Sequence, residues 1–546
     1  RNQDDDNPIR IINQIKPNII EQGLKAALST GSWGRKKGVA QPLQRLTYLQ
    51  SLSFLRRVDA LGGDPSTSKL TSPRHYHPTQ TGMLCPIESP EHSNIGLVKN
   101  LTMLGSITIG MASQIPIFKK YLKDKVIPLL QASPQMFRNH TRVFLNGEWI
   151  GLTKNARQIY TELKEKKLNG SLDHSVGIIH DIIHKEVRLY CDSGRLFRPV
   201  MRVENNKLLM RKQDVKQVSL NRAETTKITS WDQFLLKYHG KIEYIDAEEQ
   251  AYSMIAETFD VVQKMYKKMT DSIELTKKEG TTKTIINRYD DQQFVRYSHC
   301  EFHPSYLVGI LASSIPFCNH NPGTRSIFQY AQGRQAMGIY ATNYRDRLDI
   351  SYVLYHPSRP LVSTRTIKHV NSDIMTRGEN AIVAIACYTG YNQEDSLVVN
   401  KSSIDRGLFR SMNLKKFMVP IQKNQTTSQD DIFIKPDPTQ VVGLRHANYD
   451  KLNEKGYVPE ETVVVNGDIL IGKISPIQPM GNSNKTFKDS SEGYKSHEPG
   501  VVDRVYTGIY NHEGYEMIKM RIRSERKPMI ADKFCCYTKE HDVLTT

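Results

Sequence analysis

The acidic pair Glu394 and Asp395 stands in GYNQEDS, and Lys401, Arg406 and Arg410 follow within the same stretch, Asn380 to Met412. Carboxylates can hold a hard cation and neighbouring bases can hold phosphates, so the mixture suits a nucleotide and metal site better than a packing element. A second set of donors, Asn319, His320, Asn321 and Arg325, gathers in CNHNPGTR. There the arginine offers a bidentate fork to triphosphate oxygens; a surface charge at a helix entry is the plain alternative. Asp532 and Lys533 close the base-rich run MRIRSERKPMIADKF. His75, His77, Glu88 and Glu91 lie in a loop broken by Pro and Gly. No helix sets the two histidines on one face, so scaffolding is the better reading there than a metal.

The elements that must position these groups follow from periodicity. Apolar runs at 381–387 and 397–399 around the turn formers 389–392 predict a strand-to-strand junction at the acid pair. An apolar helix over 307–315 is predicted, then the loop with Arg325, then a second helix carrying Arg334 and Gln335. Apolar residues at 43, 46, 49, 52 and 55 predict a helix over 42–58 that ends in Arg56 and Arg57. Residues 143–203 alternate short strands with Asn-Gly and Ser-Gly turns around one helix near 155–167, with Arg195 and Arg198 as exposed arginines flanking a strand. Asp246, Glu248 and Glu249 read as the first turn of a helix, where negative charge complements the macrodipole, and not as a metal site. That helix carries apolar positions near 254, 255, 258, 259 and 262, and 267–296 is a polar, exposed excursion. Residues 413–522 are β-rich, with solvated lysines in a loop from about 480 to 498. In GSWGRKKG, Arg35 to Lys37 could face phosphates or simply be solvated.

At 546 residues the chain is too long for one ordinary core, and a net charge of +18 points to a polyanionic partner, nucleic acid first. No apolar run approaches the ~20 residues of a spanning helix, so no membrane is expected. Seven scattered cysteines without a CxxC pair indicate neither a disulfide framework nor a zinc site, and suit a reducing cell interior. Opening on Arg1 and stopping at Thr546, the chain reads as a fragment of something longer.

The order LRR, a Gly-rich loop, HPTQTGMLCPIESPE and NIGLVKNL resembles the fork region of the second-largest subunit of multisubunit DNA-directed RNA polymerases. GLKAALSTGSWG is similar to the segment before the fork in the eukaryotic, archaeal and large-DNA-virus members. The resemblance implies an α+β multidomain chain: fork region 1–120, external domains 121–205 and 206–298, a hybrid-binding domain at 299–412 and 523–535, and a β-rich wall at 413–522. Arg325 matches an arginine that approaches the incoming nucleotide's phosphates, and Glu394 and Asp395 match the pair beside its magnesium. Lys533 matches the first of two lysines in a Gly-Asp-Lys-Phe motif that faces the RNA 3′ end; Ala531 replaces the glycine, and the second lysine is missing.

Nucleic-acid contacts are expected from Gln41, Arg56, Arg57, Arg334 and Gln335. With no Asp-x-Asp-x-Asp cluster in the site-forming half, the permanent metal is expected on the largest subunit, and the Mg2+ touched here is shared with the nucleotide and the largest subunit. Further expected partners are the smaller subunits, the DNA template, the RNA–DNA hybrid and nucleoside triphosphates, in the nucleus or a viral transcription compartment. A non-catalytic nucleic-acid-binding scaffold is the alternative from another class. Residues 536–546, CYTKEHDVLTT, resemble the opening block of an intein and are expected to form its start, with Cys536 the nucleophile of the N-to-S acyl shift and Cys535 the last host residue.

Overall fold

Between Ile127 and Tyr190 the alternation of apolar and polar residues produces a five-stranded sheet, ordered Ile127–Pro128, Glu148–Thr153, Thr141–Leu145, Glu186–Tyr190, Gly177–Asp181. The Asn146-Gly147 turn has φ of 49° and 82°, the paired left-handed conformation that a two-residue hairpin needs and these residues tolerate. The Ala156–Leu168 helix contributes Ile159 and Leu163 to the core with Val143, Val187 and Leu189. The computed structural model describes residues 17–34, 36, 38–59, 70–218, 228, 230–279, 295–422, 429–477, 485–511, 514–536 and 544–545, the side chains of 17, 271–279 and 544–545 excepted. Arg35 and Lys37 therefore lie outside the described residues. Two compact units result, 57–313 and the pair 1–56 with 314–546.

In the 57–313 unit the Leu196–Glu204 strand pairs antiparallel with Ile242–Asp246. Asp246 then caps the Ala247–Ala251 helix through a capping box with Glu249, as the acid cluster predicts. Glu249 is buried beneath, where it accepts from Lys164, Lys167 and the Ile178 amide. Arg195 and Arg198 are not exposed flanking charges. Arg198 is buried and grips Glu301 with both terminal nitrogens at 2.6 Å, while Arg195 donates to Asp192 and Asp246. A buried guanidinium without such a partner would be far too costly, which explains why the pairs are bidentate or multiple.

Other boundaries shift because tertiary contacts override local pattern. The 307–315 run is no α-helix but two 3-10 turns, Pro304–Leu307 and Ala312–Ser314. Buried Glu88 accepts the Ala312 amide at 2.8 Å, and a side chain at Gly309 would collide with that carboxylate at 2.4 Å. The helix expected near 254–262 starts only at Phe259, after an Ile255–Ala256 strand, and it runs to Glu279 into the segment read as an excursion. The 42–58 helix shortens to Tyr48–Leu55 because Thr47 accepts the Gln50 amide and caps it there.

The second unit is built on a sheet ordered Ser351–Leu354, Ser411–Pro420, Glu516–Arg526, Gly500–Tyr510, Val463–Val464. Val464, Leu470, Tyr494, Met520 and Ile522 fill its core. Arg521 is buried with them, held by Asp503 and the carbonyls of Arg345 and Arg347. The base-rich strand thus points some of its cations inward. Within the 480–498 loop, Phe487–Asp489 and Glu492–Gly493 are strands, while 478–484 lie outside the described residues.

Candidate functional site

Around the acid pair the predicted strands do not form: 380–400 contains no strand, and Ile382, Val383 and Ile385 are exposed. The chain instead closes a turn in which Asn392 donates to the Ala386 carbonyl and accepts the Tyr388 amide. Glu394 sits at φ 54°, in the left-handed region, and both carboxylates are exposed. Asn400 then caps the Lys401–Arg406 helix through the Ser403 amide, and Gly407, at φ 116°, ends it. Lys401 and Arg406 face solvent. Arg410 does not serve as an open base; it donates to the Asp405 carbonyl and pairs with Glu525.

Arg325 stands in the first turn of the Gly323–Gly333 helix and not in the loop before it. Ser326, Gln329, Tyr330 and Gly333 form that helix's buried face, leaving Arg325 exposed with its guanidinium 5.6 Å from the Phe328 ring centroid. A cation here opposes the macrodipole, so helix stability does not account for it. The helix stops at Gly333 because buried Arg377 donates to the Gly333 carbonyl. Arg334 becomes the C-cap, stacked 4.4 Å over Tyr330, its carbonyl accepting from Thr47 at 3.1 Å; Gln335 follows, exposed. The helix expected to carry Arg334 and Gln335 therefore ends just before them, while Thr47 joins the Tyr48–Leu55 segment to the same corner.

Gln41 is exposed and donates to the Gly38 carbonyl. Arg56 caps the C-terminal end of Tyr48–Leu55, where positive charge favours the helix, and Arg57 opens a strand paired with Val98–Asn100. Sequence reading overlooked Arg377 entirely: a lone arginine between Thr376 and Gly378 carries no periodic signal, and its role exists only once the helix end is beside it.

Lys533 follows a left-handed turn. Ala531 adopts φ 76°, the conformation the replaced glycine would take freely, and Asp532 secures the turn by accepting the Met529 amide at 2.9 Å and the Arg526 guanidinium. Lys533 is exposed, and Lys533–Phe534 pairs with Leu544–Thr545. Phe534 packs on Phe409, whose amide donates to Glu379; burial pushes the Glu379 carboxyl above the usual carboxylate range. Cys536 is half-exposed, and the tail at 537–543 and 546 lies outside the described residues.

Among the described residues no three or more His, Cys, Asp or Glu gather as a metal site. His77 caps a 3-10 turn through Thr79 and Glu88 is committed to Ala312, in line with scaffolding. Glu394 and Asp395 could thus give a hard cation two carboxylates at most, which fits an ion that completes its shell with water and phosphate. No helix among the described residues is long and apolar enough to cross a membrane.

Family models for RNA polymerase Rpb2 match the chain in order: domain 3 at 41–107, domain 4 at 143–204, domain 5 at 231–304 and domain 6 at 311–540. The chain is 47% identical to DNA-directed RNA polymerase subunit 2 of Acanthamoeba polyphaga mimivirus over 98% of its own length and 44% of that relative. It is 40% identical to DNA-directed RNA polymerase II subunit 2 of Arabidopsis thaliana, over 95% of the chain and 42% of the relative. With DNA-directed RNA polymerase subunit Rpo2 of Saccharolobus shibatae the identity is 32%, over 95% and 44% respectively. The chain therefore spans somewhat under half the length of the curated relatives it matches.

Proposed function

Since the chain belongs to the Rpb2 family, the second subunits of multisubunit RNA polymerases, we propose that it supplies phosphate, metal and hybrid contacts to DNA-directed RNA synthesis. The reaction is attack of an RNA 3′-hydroxyl on the α-phosphate of a nucleoside triphosphate, with pyrophosphate leaving. Arg325 and Lys533 offset the negative charge of the triphosphate, Arg325 as a fork and Lys533 as a point charge. Magnesium bound with the nucleotide would neutralise phosphate charge, and Glu394 and Asp395 are the residues that would hold it. Gln41, Arg56, Arg57, Arg334 and Gln335 belong to the hybrid-facing surface on this reading. The fork, external-domain, hybrid-binding and wall boundaries are part of the same proposal, as are the largest and smaller subunits as partners and a nuclear or viral compartment.

One observation carries it: Arg325, Glu394, Asp395 and Lys533 are all exposed within one unit. Exposure leaves these four side chains within reach of a nucleotide, whereas Arg198 and Arg521 are buried against Glu301 and Asp503. In a polymerase reassembled with the largest subunit, Arg325→Ala or the double change Glu394→Gln with Asp395→Asn slows elongation at limiting nucleotide. Unchanged elongation would leave the scaffold reading in its place. Cys536 as a splicing nucleophile is a separate proposal; in a translation product extended past Thr546, Cys536→Ala abolishes ligation of the host segments if it holds.

A further inference from the structure

Residues 376–380 form a short irregular strip that runs past the end of the Gly323–Gly333 helix. The Thr376 carbonyl accepts the Ile339 amide and the Gly378 amide donates to the Met337 carbonyl, both at 3.0 Å, so the strip pairs with the chain leaving that helix. Gly338 permits the approach, since a side chain there would collide with the Thr376 carbonyl. Between those two bonds Arg377, 4% exposed, turns back onto the helix end and donates to the Gly333 carbonyl and, at 3.3 Å, to the Ser314 hydroxyl oxygen. Two residues on, Glu379 accepts the Phe409 amide at 3.1 Å, and Phe409 carries Phe534 and with it the Lys533 segment. Asn380, held by Ser358 and the Arg359 carbonyl, then leads toward the acid pair. One strip therefore joins the elements that bear Arg325, Lys533, Glu394 and Asp395.

Burying a guanidinium is expensive, and a neutral donor could satisfy the Gly333 carbonyl at a lower desolvation cost. What arginine adds is a rigid fork that fixes two acceptors at once, at a helix end whose negative dipole favours a cation. The helix then acts as a lever. Arg325 lies eight residues before Gly333, a span of about 12 Å at the rise of an α-helix. A tilt of about 5° at the clamped end moves the Arg325 backbone by about 1 Å, a misplacement able to cost roughly 100-fold where reacting groups must be aligned.

We propose that Arg377 is a positioning residue: by clamping the helix end to the strip at 376–380, it sets where the Arg325 fork stands relative to Lys533 and the acid pair. This role rests on the reading of Arg325 as a phosphate contact given above.

The test is a double-mutant cycle on kcat/KM for nucleotide, in polymerase assembled from the whole second subunit and the largest subunit. Arg377→Gln lowers kcat/KM by roughly tenfold or more where Arg325 is present, and by less than about twofold where Arg325 is already Ala. Arg377→Lys, which keeps a charged donor for the Gly333 carbonyl but loses the fork, recovers part of the loss. Equal losses in both backgrounds overturn the proposal, because a residue that only holds the fold costs the same whether or not Arg325 is there. A lysine no better than glutamine also overturns it. Gly333→Ala gives an answer even where Arg377→Gln fails to assemble. Its methyl would stand 3.0 Å from Arg377 Nη1 and crowd the guanidinium against its acceptors. A smaller loss, about threefold, follows and again vanishes in the Arg325→Ala background; an unchanged kcat/KM overturns the proposal. The phosphate reading fails in a different arm: Arg325→Ala alone with unchanged kcat/KM sinks it, and with it any action of Arg377 through that arginine. A costly Arg325→Ala beside additive losses leaves the phosphate reading standing and removes only the positioning role.

Discussion

Phe409 and Phe534 meet edge to face, with ring centroids 5.0 Å apart and planes at 62°. Phe409 ends the turn that follows the Lys401–Arg406 helix, and Phe534 is the residue after Lys533. Two segments more than a hundred residues apart in sequence are thereby locked together, so the Lys533 segment takes its position from the element that follows the acid pair. An edge-to-face aromatic pair contributes about 0.5–1.5 kcal/mol beyond simple burial. A double-mutant cycle of Phe409→Leu and Phe534→Leu, read by urea unfolding, should return a coupling in that range; zero coupling would mean the rings are merely neighbours.

Arg325 gives opposite signs for stability and activity. Arg325→Gln removes a cation from the first turn of its helix and should stabilise the fold by about 0.3–1 kcal/mol. The same change should weaken nucleotide use by roughly 10- to 100-fold, since a charge-assisted contact contributes about 1.5–3 kcal/mol. Thermal unfolding and KM for nucleotide decide it. Arg325→Lys should recover only part of the loss because an ammonium lacks the fork. A residue kept for folding would move both readouts the same way.

Ala531 holds a left-handed backbone at φ 76° with nothing but its methyl to resist it. Ala531→Gly should raise stability by about 1 kcal/mol, and Ala531→Val should lower it by more. Denaturant midpoints of the three proteins test the order Gly, Ala, Val.

Glu379 carries the pH dependence. Burial raises its folded pKa above the unfolded value, with the Phe409 amide opposing part of the shift. For a raised acid the stabilising contribution is present below the unfolded pKa and is lost as pH rises through the folded pKa. Glu379→Gln, which keeps an acceptor for the Phe409 amide, should change the Tm little at about pH 4 and raise it at about pH 8. Equal shifts at both values would show that the carboxyl is neutral throughout or fully solvated.

Much of this molecule was legible before any coordinates. The α+β character, the helix at Ala156–Leu168, the Asn146-Gly147 turn, the capped acids at 246–249 and the family motifs depend on residues near one another in sequence, where period, cap and turn chemistry act directly. The roles of the charged side chains were not legible in that way. Arg198 and Arg325 look alike in sequence, yet one is buried on Glu301 and the other faces solvent. Glu88 dismantles an apparent helix more than two hundred residues away, and the apolar run before Glu394 forms no strand despite its pattern. Local order fixes what a segment tends to become; whether a charge is paired inside or presented outside depends on which distant groups arrive beside it, because desolvation is decided by the whole surrounding.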